Sequence, residues 1–404
     1  MRHRLLSGAA GAGALALVLT GCVPNNVAGA AALTVEMTDD TCVVSEATTT
    51  AGAVTFSITN KGTDVNEFEI LAEDKLRIVG EKENVTPGQT VSYVAHLGPG
   101  TYYTACKFQL IGAPIGVAEF TVTGEASAVS ADEQALTDQA VTNYISYITS
   151  QVAELVPQVQ AFTDAYASGD DETARSLFAS ARVSYERIEP TAEAFGDLDP
   201  KIDYREVDAV AEGLDWTGFH RIEKDLWPPT EGALNSDGES AFLDWAPSTA
   251  QERTAYADGL VADVQELADL VSAKDFTVSL ADISNGSIGL LDEVAVRKIS
   301  GEEDWWSHTD LYDFYANVQG AEVAFGNVKN IATSKDAEGT ALVKDIDSEF
   351  TALEALLAKY GSLETGFVDY STVTEAQRKE LSDQVNALAE PLSKLTHTVL
   401  GLSE

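Results

Sequence analysis

"GEASAVSADEQAL", residues 124–136, separates two unlike halves of the 404-residue chain. The stretch is small, polar and acidic, and lacks the periodicity of a packed element, so it reads as a linker over 125–136. Upstream, over 32–124, lie "LTVEM", "VTFSITN", "NEFEIL", "TVSYVAHL", "TYYTAC" and "GVAEFTVTG", short segments rich in Val, Thr, Ile, Phe and Tyr. Turn residues punctuate them at Asn60-Lys61-Gly62, Pro87-Gly88 and Gly98-Pro99-Gly100. Strands of this length and spacing predict an all-β sandwich, with Val54, Phe56 and Ile58 facing one way and the intervening hydroxyls the other. Downstream, over 137–404, apolar residues recur at helical spacing in long segments such as "ERTAYADGLVADVQELADLVSA" and "TEAQRKELSDQVNALAEPLSKLTHTVLG". That pattern predicts an all-α bundle. Thr374, with Gln377 three residues on, predicts a capping box at the start of one helix.

The N-terminus gives the address. Arg2 and Arg4 precede the apolar run "GAAGAGALALVL", residues 8–19, which is too short to span a bilayer and fits the core of a secretory signal. It ends in "LTGC", residues 19–22, which resembles the lipobox of bacterial lipoproteins. The expectation is a signal peptide over 1–21, lipidation at Cys22 and a tether over 22–31. The protein would then be exported and held at the outer face of the cell membrane, in the periplasm or cell envelope; an ordinary cleaved signal is the alternative. The net charge of −40 excludes nucleic acid as a partner, because phosphate contacts need clustered Lys and Arg. Beyond Cys22, the remaining cysteines are Cys42 and Cys106. In an exported protein such a pair forms a disulfide, or, with nearby acids, a weak metal site.

A sandwich with a cysteine near its end raises the blue-copper question. Such a centre needs two His, one Cys and usually an axial Met. This half has one histidine, His96, and one methionine, Met37, so the centre is excluded. Glu67 and Glu69 share one strand face, where they either bind a cation or form the wet side of the sheet.

In the helical half, "WTGFHRIEKDLWPP", residues 216–229, reads as a helix that Pro228 and Pro229 end. It puts His220 and Glu223 on one face, as metal ligands or as a structural hydrogen bond. The protease motif H-E-x-x-H is absent, and the inverted H-x-x-E-H would need histidine where Lys224 stands. Other bundle helices could add ligands: Glu186 and Glu189 in "YERIEP", Glu293 in "LLDEVA", and Glu302, Glu303, His308 and Asp310 in "GEEDWWSHTDLYDF". Structural readings compete. Ser307 and Asp310 also suit a helix start, and Glu302 and Glu303 also suit pairing with Arg297 and Lys298.

Taken together, "YERIEPTAEAFGDLDPKIDYRE", "WTGFHRIEKDLW" and "GLLDEVAVRKISGEEDWWSHTDLYDFYANVQGAE" resemble the imelysin-like domain of the EfeO/EfeM iron-uptake proteins. "NEFEIL", "EKENVTPG" and "GPGTYYTAC" resemble the cupredoxin-like domain that precedes it in the full-length members. The resemblance implies a two-domain fold, an N-terminal all-β cupredoxin-like sandwich followed by an all-α imelysin-like bundle. It implies a non-enzymatic iron-binding component that works with a membrane iron permease and a secreted haem peroxidase. Its H-x-x-E motif falls on His220 and Glu223 as metal ligands, with Glu189, Glu293 and His308 as further candidates. A second metal, copper or iron, is implied near Cys42, Glu67, Glu83 and Cys106. Iron as Fe3+ or Fe2+ suits oxygen-rich donors, and copper or zinc can use the same set. Two other classes stand beside this reading. One is an imelysin-type metallopeptidase. The other is a non-catalytic polysaccharide-binding or adhesion lipoprotein using Trp305 and Trp306.

Overall fold

In β4 (Gly52–Asn60) every second side chain is buried, so Val54, Phe56 and Ile58 enter one core while Thr55, Ser57 and Thr59 stay at its edge. The computed structural model describes residues 32–402 except 74, 76–77, 110–113, 126–129, 244 and 297, and leaves aside the side chains of 193, 292, 293 and 296. Around β4 stand β1 (Leu33–Met37), β2 (Cys42–Val44) and β3 (Thr48–Thr50), then β5 (Asn66–Leu71), β6 (Ile78–Val85), β7 (Thr90–Leu97), β8 (Gly100–Phe108) and β9 (Ile115–Thr123). They form two sheets, ordered β2-β1-β4-β7 and β3-β9-β8-β5-β6. Phe56 packs on Phe68 and Phe120 between them, with ring centroids 5.2 and 6.0 Å apart.

Cys42 on β2 is bonded to Cys106 on β8, joining the two sheets across 64 residues of sequence. A loop of that length places the stabilisation in the range of about 2–4 kcal/mol. Cys42 and Cys106 are therefore corrected as ligands of the second metal site expected with Glu67 and Glu83. Both sulfurs are used in the bond, and Cys106 pairs with Phe68, whose ring lies in the sandwich core. Glu67, one residue from Phe68, points to the opposite face of the same sheet.

That opposite face is not wet. Glu67 and Glu69 are 3% and 1% exposed, because helices cover the sheet. The helical part comprises α1 (Ala131–Ser168), α2 (Asp171–Glu186), α3 (Leu198–Asp203), α4 (Glu206–Glu212), α5 (Gly218–Leu226) and α6 (Ala250–Val271). It continues with α7 (Leu280–Val296), α8 (Asp310–Lys335), α9 (Ala337–Leu357), α10 (Glu375–Leu392) and α11 (Leu395–Leu400). Strands and helices share one compact unit over 31–404. Lys107 of β8 reaches Glu212 of α4 at 2.7 Å, Asn285 of α7 donates to the Val94 carbonyl at 2.6 Å, and Ser92 meets His397 Nε2 at 3.0 Å. The covered strand β6, "IVGEKENV", escapes a pattern search because Glu81 and Glu83, on the face shared with Glu67 and Glu69, stand where alternation would need apolar residues.

The first helix starts six residues before the expected 137. Ser130 caps it, accepting a hydrogen bond from the Glu133 amide, and Asp132 and Glu133 suit the positive end of the dipole. The polar composition of this stretch is that of a helix N-terminus as much as of a linker. The capping box at Thr374 and Gln377 is present, and α5 ends before Trp227 as the two prolines require. Among the described residues, no helix is long and apolar enough to cross a membrane.

Candidate metal centre

Four separated segments bring their acids together inside the bundle. Glu186 is the last residue of α2, Asp203 the last of α3, and Glu189 opens the 3-10 segment Glu189–Phe195 that follows α2. Helix C-termini carry negative partial charge, so both helix ends add to the attraction for a cation. Two glycines let the Glu186–Glu189 segment sit this deep. A Cβ at Gly286 of α7 would lie 1.7 Å from the Pro190 carbonyl oxygen, and one at Gly320 of α8 would lie 2.4 Å from that of Arg187. Asn317 of α8 then donates to Glu186 at 3.0 Å and to Glu189 at 2.6 Å.

From the other side come His220 and Glu223 of α5 and the loop before α8, with Glu303 and Asp304. Glu223 is fully engaged. Its Oε1 accepts from the amides of Trp306 and Ser307 at 3.0 and 2.7 Å, and its Oε2 faces His220 Nδ1 at 3.1 Å. A carboxylate can only accept, so Nδ1 carries the hydrogen and Nε2 is directed away from Glu223. Nε2 looks at Asp203 and Glu303, 3.6 and 3.7 Å away, and makes no hydrogen bond with them. Asp203, His220 and Glu303 offer donor atoms within 4.8 Å of one another, as do Glu186, Glu189 and Asp203, and His220, Glu223 and Asp304. The three groups overlap at Asp203 and His220 and make one continuous donor belt.

Arg182, wholly buried on α2, is the fixed counter-charge. It pairs with Asp203, with Glu186 at 2.6 Å, Asp313 at 3.2 Å, Glu303 at 3.5 Å and Asp304 at 3.7 Å. Lys298 adds a second cation, 2.7 Å from Glu189 and 3.3 Å from Glu186. The acids still outnumber the cations, and the surplus shows in their acidity. Burial, against the pull of Arg182, pushes Asp203 up to about 7. Burial also raises Asp304 and Asp313 well above the usual carboxylate range, with Arg182 opposing. For Glu186 burial works the other way from the result: Lys298 and Arg182 outweigh it and hold the group low. Burial and Arg182 disfavour the charged imidazole, yet Glu223, Glu303 and Asp203 together lift His220 to about 9. A low-dielectric pocket with excess acid favours the protonated form of its carboxyl groups.

The expected residues fare differently. His220, Glu223 and Glu189 lie in the belt. Glu293 falls in α7, its side chain outside the described residues. His308 sits half-buried with a left-handed φ of 58° and joins none of the convergent groups. Asp203, Asp304, Asp313 and Arg182 were not singled out from sequence. The one signal for Arg182 was its i,i+4 spacing from Glu186 on a face shared with Phe178. Glu302 turns to Arg205 at 2.9 Å, whereas Glu303 both faces Lys298 and enters the belt. In the sandwich, Glu67 and Glu83 meet Glu81 rather than the cysteines. Burial, and then Glu81 and Glu83, raise Glu67 well above its usual range. Trp305 donates its indole N–H to the Leu234 carbonyl and Trp306 lies under the Lys224 ammonium; both rings are half-buried.

The chain matches known families over most of its length. The imelysin family model covers residues 140–395, and the cupredoxin-like domain model covers 11–116. The architecture is thus that of a cupredoxin-like sandwich followed by an imelysin bundle. Similar proteins include the iron uptake system component EfeO of Escherichia coli K12, of E. coli O157:H7 and of Shigella flexneri. Each is 38% identical over 381 residues, covering 93% of this chain and 93% of the relative. The chain belongs to the EfeO family.

Proposed function

We propose that the protein captures iron outside the cytoplasm, using Glu186, Glu189, Asp203, Glu303 and His220 Nε2 as donors. The observation that carries this reading is the buried Nε2 of His220, which makes no hydrogen bond and faces two carboxylates at 3.6 and 3.7 Å. Those gaps are too long for a direct hydrogen bond, and a cation seated between imidazole and carboxylates would satisfy all of them. Glu223 serves to orient the ring, in the manner of the carboxylates that back metal-bound histidines. Oxygen-rich donors with one imidazole suit Fe3+ and Fe2+ and also accept copper or zinc, so the choice of iron rests on the family. Export, lipid attachment through Cys22, hand-over to a membrane iron permease and cooperation with a secreted haem peroxidase belong to the same proposal. Cys22 itself lies outside the described residues. The bundle binds rather than cleaves on this account: Lys224 stands where the inverted protease motif needs histidine, and its ammonium pairs with Glu206.

Proton release tests the proposal. Asp203 titrates near 7 in the folded protein against 3.8 as a free group, so the folded state holds more protons than the unfolded one between about pH 4 and 7. Stability of the metal-free protein is therefore expected to fall as pH rises through that window. Glu186 and Glu303 are held low and act oppositely, their stabilisation being lost only as pH falls below about 4.5. Iron binding must expel the protons on Asp203 and His220. At pH 6.5, anaerobic Fe2+ binding should release about one to two protons per ion, read by calorimetry in buffers of different ionisation enthalpy. Binding without proton release would contradict this donor set.

A further inference from the structure

Lys298 occupies an unusual place for a lysine. It is 3% exposed, and its ammonium spans both oxygens of Glu189 at 2.7 and 2.8 Å, Glu186 at 3.3 Å and Glu303 at 3.7 Å. Those are the carboxylates that the proposed capture site would turn toward iron. Arg182 already shares Glu186 and Glu303 with Lys298, so an ion entering here would meet the Lys298 ammonium at close range in a low-dielectric pocket, where their repulsion is strong.

Of Arg182 and Lys298, Lys298 is the one built to leave. The guanidinium of Arg182 is a planar fork held by several carboxylates and packed on the rings of Phe178 and Phe219, with centroids 5.8 and 5.4 Å away. Lys298 is a compact charge on a four-carbon stem. Its backbone lies in the three-residue turn Lys298–Ser300, pinned by the Tyr370 hydroxyl, which donates to the Ile299 carbonyl at 2.7 Å. The backbone is held, so rearrangement falls to the side chain. Glu189, 15% exposed, marks the side of the pocket nearest to solvent.

We infer that the Lys298 ammonium is a built-in competitor of the cargo ion. It neutralises the carboxylates when no ion is bound, swings off Glu186 and Glu189 when iron enters, and returns as iron leaves. This rests on the capture-site reading above. Its consequence is a site tuned below its possible affinity and primed for release, which suits a protein that must hand its cargo on.

The test compares wild type, Lys298→Met and Lys298→Arg by anaerobic Fe2+ titration against a competing chelator, with stopped-flow release. Lys298→Met should bind about ten- to a hundredfold more tightly, the effect of removing one near charge at intermediate dielectric, with release slowed to match. Lys298→Arg, whose fork fits two carboxylates at once, should bind no better than wild type. Equal or weaker binding by folded Lys298→Met, with wild type binding normally, overturns the inference while leaving the capture site intact. Absence of Fe2+ binding by wild type overturns both. Should Lys298→Met not fold, a crystal structure of iron-loaded wild type decides. The ammonium should lie beyond contact with Glu186 and Glu189, and an ammonium still paired with both while iron occupies the belt refutes the inference.

Discussion

Arg182→Met is expected to destabilise the protein by about 3–5 kcal/mol, the loss seen when one member of a buried ion pair is removed. Methionine fills much the same volume between Phe178 and Phe219, so packing changes little and the effect is electrostatic. Asp203, Asp304 and Asp313 lose their counter-charge together, in a place where Asp304 Oδ1 already lacks a hydrogen-bond partner among the described residues. With about 2.1 cal/mol/K of unfolding entropy per residue, a unit of this size shifts by about 1–2 °C per kcal/mol, so the melting temperature should drop by roughly 5 °C. Lower pH should restore part of the loss by protonating the stranded acids. A variant that melts within a degree or two of wild type would show that Arg182 does not organise the pocket.

The second large effect separates affinity from stability. Asp203→Asn combined with Glu303→Gln keeps shape and removes two charges from the donor belt. Each near charge is worth about 1–4 kcal/mol at 4 Å in an intermediate to high dielectric, so Fe2+ affinity should fall at least about a hundredfold. At pH 7.5 Asp203→Asn alone should keep its thermal stability, because Asp203 is a group the fold prefers neutral, whereas Glu303→Gln should lose some, because, despite burial, Lys298, His220 and Arg205 favour that carboxylate in its charged form. Calorimetric titration beside differential scanning calorimetry reads both quantities. Unchanged affinity in the folded double variant would remove Asp203 and Glu303 from the site, whereas a collapse in stability without a change in affinity would make them purely structural.

Local features of the fold were legible from the chain alone. Alternation in Val54, Phe56 and Ile58, turn residues between strands, and the Thr374–Gln377 box are local signals that the structure honours. So was the shared face of His220 and Glu223, since three residues is a fixed turn of helix. What could not be read is which neighbour satisfies each group. Glu223 looks like a ligand in sequence, but the amides of Trp306 and Ser307, more than eighty residues away, take one of its oxygens. Glu67 and Glu69 look wet because nothing local says that a bundle will cover their sheet. Asp203 and Asp313 carry no local mark. They matter because Arg182 is buried beside them, and that is a property of packing. Cys42 and Cys106 suited either a bond or a metal, and only the geometry of β2 against β8 decided between them.

Anomalous scattering at the iron edge, from crystals of the protein grown with iron, tests the central claim most directly. The account expects one strong peak in the bundle within coordination distance of His220 Nε2 and carboxylate oxygens of Asp203, Glu303, Glu186 and Glu189. A peak confined to the Glu67, Glu81 and Glu83 cluster, or an imidazole at 220 still turned to its carboxylate neighbours with no metal beside it, would contradict it.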